Sequence, residues 1–200
     1  MLTRLNVIEG AYLHDILEQP AAMRRTAQSL ASAPFLTSDV LSLCSKFAIA
    51  RIVLTGTGSS CHALHPLHIR LTLAGHFSVM AETSKAIHYL PDLFSKNTIT
   101  IAVSQSGESA EIVRLLSDGY LNGPAIGITN TPNSTLAKSS NLTLLTEAGP
   151  ESGVSCKTYL AGLQAAVQIG KVSTITSVAH NPDVLPIARR APWHRSWQFR

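Results

Sequence analysis

Apolar and polar residues fall into short blocks whose period switches repeatedly along the chain. RIVLTG, residues 51–56, is almost wholly apolar and ends in glycine. That is the pattern of a strand buried on both faces. Further runs predict strands over 77–82, 98–104, 124–130 and 141–147. The segments between them have helical spacing: about 60–74, SKAIHYLPDLF, GESAEIVRLLSDGYL, the short NSTLAKSS, and the long ESGVSCKTYLAGLQAAVQIG. Two helices precede the first strand. Residues 14–31 form one, with a break or fresh first turn expected at Pro20, because proline is best tolerated at a helix start. Residues 37–47 form the other, with Thr37 or Ser38 as N-cap. Five strands alternating with helices predict an α/β fold, a three-layer α/β/α sandwich on a five-stranded parallel sheet. In such sheets ligands bind at the carboxyl ends of the strands. The expected organisation is a lead-in helix over 1–35, a domain over 36–170, and an atypical basic tail over 171–200.

Composition narrows the picture. The chain has 200 residues, 45% of them hydrophobic and 14% charged, which fits one globular domain rather than a disordered segment. No apolar run reaches the ~18 residues of a membrane span. The first twenty residues carry acids where a secretion signal has its apolar centre. Cys44, Cys61 and Cys156 are odd in number and form no CxxC pair, which argues against a disulfide framework or a zinc site and favours a reducing cytoplasm. The net charge of +4 lies wholly in the tail: residues 1–170 hold eleven basic and eleven acidic residues. Without a basic stripe in the body, nucleic acid is not the expected partner, nor is a membrane.

Three stretches carry chemistry. SQSGES, residues 104–109, follows a buried strand and opens a helix. Free N–H groups at a helix start suit an anion, serine hydroxyls add neutral donors, and Gly107 lets the backbone come close. GTGSSCHA, residues 56–63, has Gly56 and Gly58 of a dinucleotide fingerprint but Cys61 in place of the third glycine. Its alternative reading is that Ser59 and Ser60 face a polar ligand shared with the first stretch. AGPESGVSCKTY, residues 148–159, brings Glu151, Ser155 and Lys157 within one or two helical turns, a carboxylate for acid–base work and an ammonium as a clamp. The plainer reading makes Glu151 a first-turn acid and Lys157 a solvated lysine. Cys61 and Cys156 read as packing residues rather than nucleophiles.

Together with ILEQPAAMRRT, residues 16–26, these stretches resemble the sugar isomerase (SIS) domain, more closely the first of two such domains in the isomerase half of glucosamine-6-phosphate synthases. The likeness covers roughly residues 14–170. It implies a flavodoxin-like strand order. It also implies that Ser104, Gln105, Ser106 and Ser109, around Gly107, hold the phosphate of a six-carbon sugar phosphate, while Ser59, Ser60 and Ser155 contact sugar hydroxyls. The implied chemistry is aldose–ketose isomerisation, or deamination or deglycation of an amino-sugar phosphate, with no metal or redox cofactor. Three departures bear on this. Lys85 stands where that family usually has a glutamate. The third loop is one residue shorter. The second SIS domain, source of the family's base, ring-opening histidine and lysine, is not expected in this chain, whose odd tail reads as the end of a truncated gene. Glu151 is the remaining candidate acid–base group. The expected function is binding of a hexose or amino-sugar 6-phosphate. The alternatives are an active isomerase completing its site in a homodimer and, ranked last, a sugar-phosphate-sensing module.

Overall fold

The computed structural model describes residues 10–31, 36–151 and 153–171. Five parallel strands form one sheet: β1 (Arg51–Gly56), β2 (Ser78–Glu82), β3 (Thr98–Val103), β4 (Ala125–Thr129) and β5 (Leu142–Leu145), in the order β2-β1-β3-β4-β5. This is the expected sandwich, with the flavodoxin-like order. The three central strands are buried along nearly their whole length and the edge strands only partly, as the apolar runs require.

The eight α-helices of the described residues are α1 (Ala11–Ala31), α2 (Leu36–Phe47), α3 (Ser59–His62), α4 (His65–Leu73), α5 (Thr83–Tyr89), α6 (Ala110–Ser117), α7 (Thr135–Ser139) and α8 (Lys157–Lys171). Strand alternation sorts them into two layers. Ile52, Leu54, Ile101 and Val103 face a core shared with α1, α2, α4 and α8. Val53 and Ala102 point the other way, against α5, α6 and α7. The buried stripe of α8 is mostly small, including Ala161, Gly162, Ala165, Ala166 and Gly170, so this helix lies close against its neighbours α1 and α4.

Several boundaries differ from the sequence reading. No break occurs at Pro20; α1 runs straight through it. Pro20 is exposed, and Ile16, whose carbonyl loses its usual donor, is 37% exposed, so water can serve that oxygen. Packing on both sides of the proline then holds the helix together. α2 begins at Leu36, which puts Thr37 and Ser38 inside its first turn rather than at the cap. The helix expected over 60–74 is two, because Pro66 lacks the N–H that would continue α3 and instead sits in the first turn of α4. α6 begins at Ala110, and α8 only at Lys157, because the residues before each form loops. The tail over 172–200 lies outside the described residues.

α1 covers the edge of the sheet. Ser29 donates to the Leu145 carbonyl at 3.0 Å, Thr26 to that of Thr146, and Arg25 to those of Glu147 and Ala148 at 3.2 and 2.7 Å. Four successive carbonyls at the end of β5 are thus capped by three side chains of one helix.

Candidate functional site

β1 and β3 are neighbours, and their connections leave on opposite faces of the sheet. This is the topological switch point, where α/β sheets open a crevice beyond the strand ends. The residues after β1 and after β3 meet there in a cleft of about 180 Å³. Thr57, Ser59 and Ser60 line one wall; Ser104, Gln105, Ser106 and Ser109 form the other; Ser155 reaches in from the loop before α8. The structure therefore brings together every serine predicted for the site, with Gln105. No charged side chain lines this cleft among the described residues.

The loop after β3 has a directional backbone. The Ser104 carbonyl accepts from the Gly107 amide at 3.2 Å, the Gln105 carbonyl from the Asn130 amide at 3.0 Å, and the Gly107 carbonyl from the Leu136 amide at 3.1 Å. The Gln105 and Gly107 carbonyls are thus tied back to the end of β4 and to α7, and the Gly107 and Glu108 amides are spent within the loop, while those of Gln105, Ser106 and Ser109 have no backbone acceptor among the described residues. Glu108 secures the same loop: its two oxygens accept from the amide and hydroxyl of Thr135 at 2.6 and 2.9 Å. Those bonds hold its carboxyl below the usual range. Gly107 has φ +66°, and a Cβ there would overlap the Ser134 hydroxyl. Packing beneath the loop already requires glycine here, a constraint the sequence did not reveal. Gly56 is similarly confined: a Cβ would stand 2.9 Å from both the Cys61 amide and the Val103 carbonyl. This lets α3 fold down beside β3.

The hydroxyls are not equally committed. Ser104 accepts from the Gly107 amide and Ser106 from the Glu108 amide, so each keeps its own proton to donate. Ser109 is the N-cap of α6 but makes no capping bond. Its Oγ, like that of Thr57, is buried without a hydrogen-bond partner. A buried hydroxyl left unpaired costs free energy, and these two line one cleft. Thr57 was not singled out in the sequence. Its position one residue past a buried strand, beside Gly58 with φ +55°, was the available signal.

Two predicted residues have other partners. The Lys157 ammonium is not among the groups lining the cleft. It is 1% exposed and lies 2.9 Å from Asp15 Oδ1 and 2.5 Å from Glu18 Oε2 of α1. Burial opposes its charge, but the hydrogen bonds it donates to Asp15 and Glu18 outweigh that and raise its pKa. His14, Asp15 and Glu18 place ligand atoms within 4.8 Å of one another, but the two carboxylates are already paired with this ammonium and, at Glu18, with Arg25. Glu151 caps α8. Its Oε1 accepts from the amides of Cys156 and Lys157, each at 2.9 Å, and of Thr158 at 3.3 Å, while Oε2 accepts from the Thr158 hydroxyl. Burial raises its pKa, but these bonds prevail and hold it below the usual range. The thiols of Cys61 and Cys156 are both pushed up, chiefly by burial, so neither is poised as a thiolate. Lys85 is exposed on α5 and pairs with Glu82 at 3.5 Å.

Known proteins share the family and the fold. The sequence profile of the family described as SIS domain matches residues 48–178. A glutamine–fructose-6-phosphate aminotransferase (isomerizing) of Bacillus subtilis is 33% identical over 189 residues, covering 91% of this chain and 30% of its own length. Among solved structures, the C-terminal domain of glucosamine-fructose-6-phosphate aminotransferase from Francisella tularensis superposes with a TM-score of 0.69 at 22% identity, over 91% of this chain and 52% of that one. Tagatose-6-phosphate ketose/aldose isomerase from Escherichia coli gives 0.67 at 18% identity, over 79% and 47%. The solved structures share the fold. The chain spans less than a third of the curated relative it matches. No helix among the described residues is long and apolar enough to cross a membrane.

Proposed function

The chain belongs to the SIS domain family, and on that premise we propose that it binds a phosphorylated sugar, a hexose or amino-sugar 6-phosphate, with the phosphate in the cleft beyond β1 and β3. The observation that carries this reading is the pair of buried, unpartnered hydroxyls, Thr57 and Ser109, on opposite walls of one cleft. A phosphate oxygen between them satisfies both, and Ser104, Ser106 and the loop amides supply donors for the other oxygens. The cradle is neutral, so binding draws on aligned dipoles and hydroxyls rather than on a basic side chain. Ser59, Ser60 and Ser155 are left for the sugar. Glu151 already accepts from four donors at the start of α8, which favours a capping role over that of a base.

Thermal unfolding with fructose 6-phosphate and glucosamine 6-phosphate tests the reading. Ligand at a hundred times its Kd adds about 2.7 kcal/mol to stability. Replacing Ser104 and Ser106 together by alanine should abolish the shift. If neither sugar phosphate stabilises the wild type, the ligand class is wrong.

A second reading is an active aldose–ketose isomerase whose site a second copy completes. It draws on the small volume of the cleft, about 180 Å³, against the roughly 300 Å³ or more of ordinary small-ligand sites. It draws also on the lack of any carboxylate, imidazole or amine lining the cleft among the described residues. Interconversion of the sugar phosphates by purified protein, together with a dimer in sedimentation, would establish it. A monomer without turnover that still binds leaves the first reading standing.

A further inference from the structure

The loop before α8 contains a chain of hydroxyls whose direction is fixed by its last acceptor. Thr158 Oγ1 donates to Glu151 Oε2, and Ser155 Oγ lies 3.0 Å from Thr158 Oγ1. A hydroxyl has one proton, and an ionised carboxylate has none to give. The bonds that Glu151 receives keep its carboxyl below the usual range, so it is ionised at neutral pH. The proton of Thr158 is therefore spent on Glu151. Towards Ser155, Thr158 can only accept, and the Ser155 proton is spent on Thr158. What Ser155 has left for the cleft is a pair of oxygen lone pairs.

We infer that Ser155 is an acceptor-only residue in the cleft, oriented by Glu151 through Thr158, and that it selects a ligand hydroxyl or ammonium rather than a phosphate oxygen. This rests on the sugar-phosphate reading and extends it. The cleft has two poles: donors at Thr57, Ser104, Ser106 and Ser109 for the anion, and an acceptor at Ser155 for a group that carries its own proton. Phosphate oxygens are repelled from the Ser155 wall, so the ligand can enter in one orientation only. Glu151 and Thr158 are positioning residues. Thr158 lies within the fold, and the Glu151 carboxylate is turned to the helix start.

The relay can be reversed chemically. In Glu151→Gln, an amide oxygen facing the α8 amides puts NH2 against Thr158, which then accepts from it and donates to Ser155. Ser155 in turn offers its proton to the cleft. Thr158→Val removes the relay with little change of shape, and Thr158→Ser keeps it. The experiment measures affinity for glucosamine 6-phosphate and for inorganic phosphate by calorimetry in all four proteins. The wild type and Thr158→Ser should prefer the sugar phosphate. Thr158→Val and Glu151→Gln should lose about three- to tenfold of that preference, the worth of one hydrogen bond, with inorganic phosphate affinity little changed. A purely structural cap would weaken both ligands together, or neither, and either result overturns the relay. Failure of the wild type to bind both ligands would instead overturn the sugar-phosphate reading itself. Should Glu151→Gln melt below the assay temperature, the Thr158 pair decides alone, because a valine that leaves discrimination intact refutes the inference.

Discussion

Ser109 shows how a single residue can be kept at a cost to stability. It stands at the N-cap of α6 without a capping bond, its oxygen buried and unpaired. Ser109→Ala should therefore leave unfolding free energy unchanged or raise it by about 1 kcal/mol, while weakening phosphate binding about three- to tenfold. Urea unfolding and calorimetry on the same variant check both halves; a loss of stability with intact binding would make Ser109 an ordinary cap. The serines of this loop were legible because their number exceeds what capping needs. The role of Gly107 was only half legible, since the overlap with Ser134 involves a residue 27 positions away. Glu151 and Lys157 illustrate the opposite case. Residue type and spacing suggested a base and a clamp, but which atoms they meet depends on a helix more than 130 residues upstream in one case and on the local helix start in the other.

At the scale of elements, α1 and α8 are joined by a buried ion triad. Lys157 Nζ, between Asp15 and Glu18, is 1% exposed, and Glu18 also accepts from Arg25 at 2.8 Å. Removing one partner of a buried pair strands the other, so Lys157→Met should cost about 3–5 kcal/mol. Adding Asp15→Asn should restore part of that loss, because one uncompensated charge is then gone. Additive losses in urea unfolding would mean the two side chains do not depend on each other. The apolar runs announced each strand, and strand burial follows them closely. Helix ends were less readable, since α1 continues through Pro20 on the strength of contacts with β5 and α8 that no local pattern reveals.

For the whole molecule, acid is the condition that loosens these connections. Glu18, Glu108 and Glu151 each bind a proton more weakly folded than unfolded. Their contribution is complete above the ordinary carboxylate range and is lost as pH falls through the lower folded values. Lys157 and Arg25 face Glu18, Thr135 faces Glu108, and the start of α8 faces Glu151. Unfolding free energy should thus fall on acidification, with a shallower slope in Glu108→Gln; equal slopes would show that Glu108 titrates alike in both states. The same triad has a consequence for how the chain is made. Glu18 and Lys157 are 139 residues apart, which at about 5–20 residues per second is roughly 7–28 s of translation. Through that interval α1 is already synthesised, while its acids have no lysine and its small apolar face has no α8 to rest on. α1 thus leaves the ribosome well before the helix that closes it, and any factor that guards the nascent chain has that window in which to act.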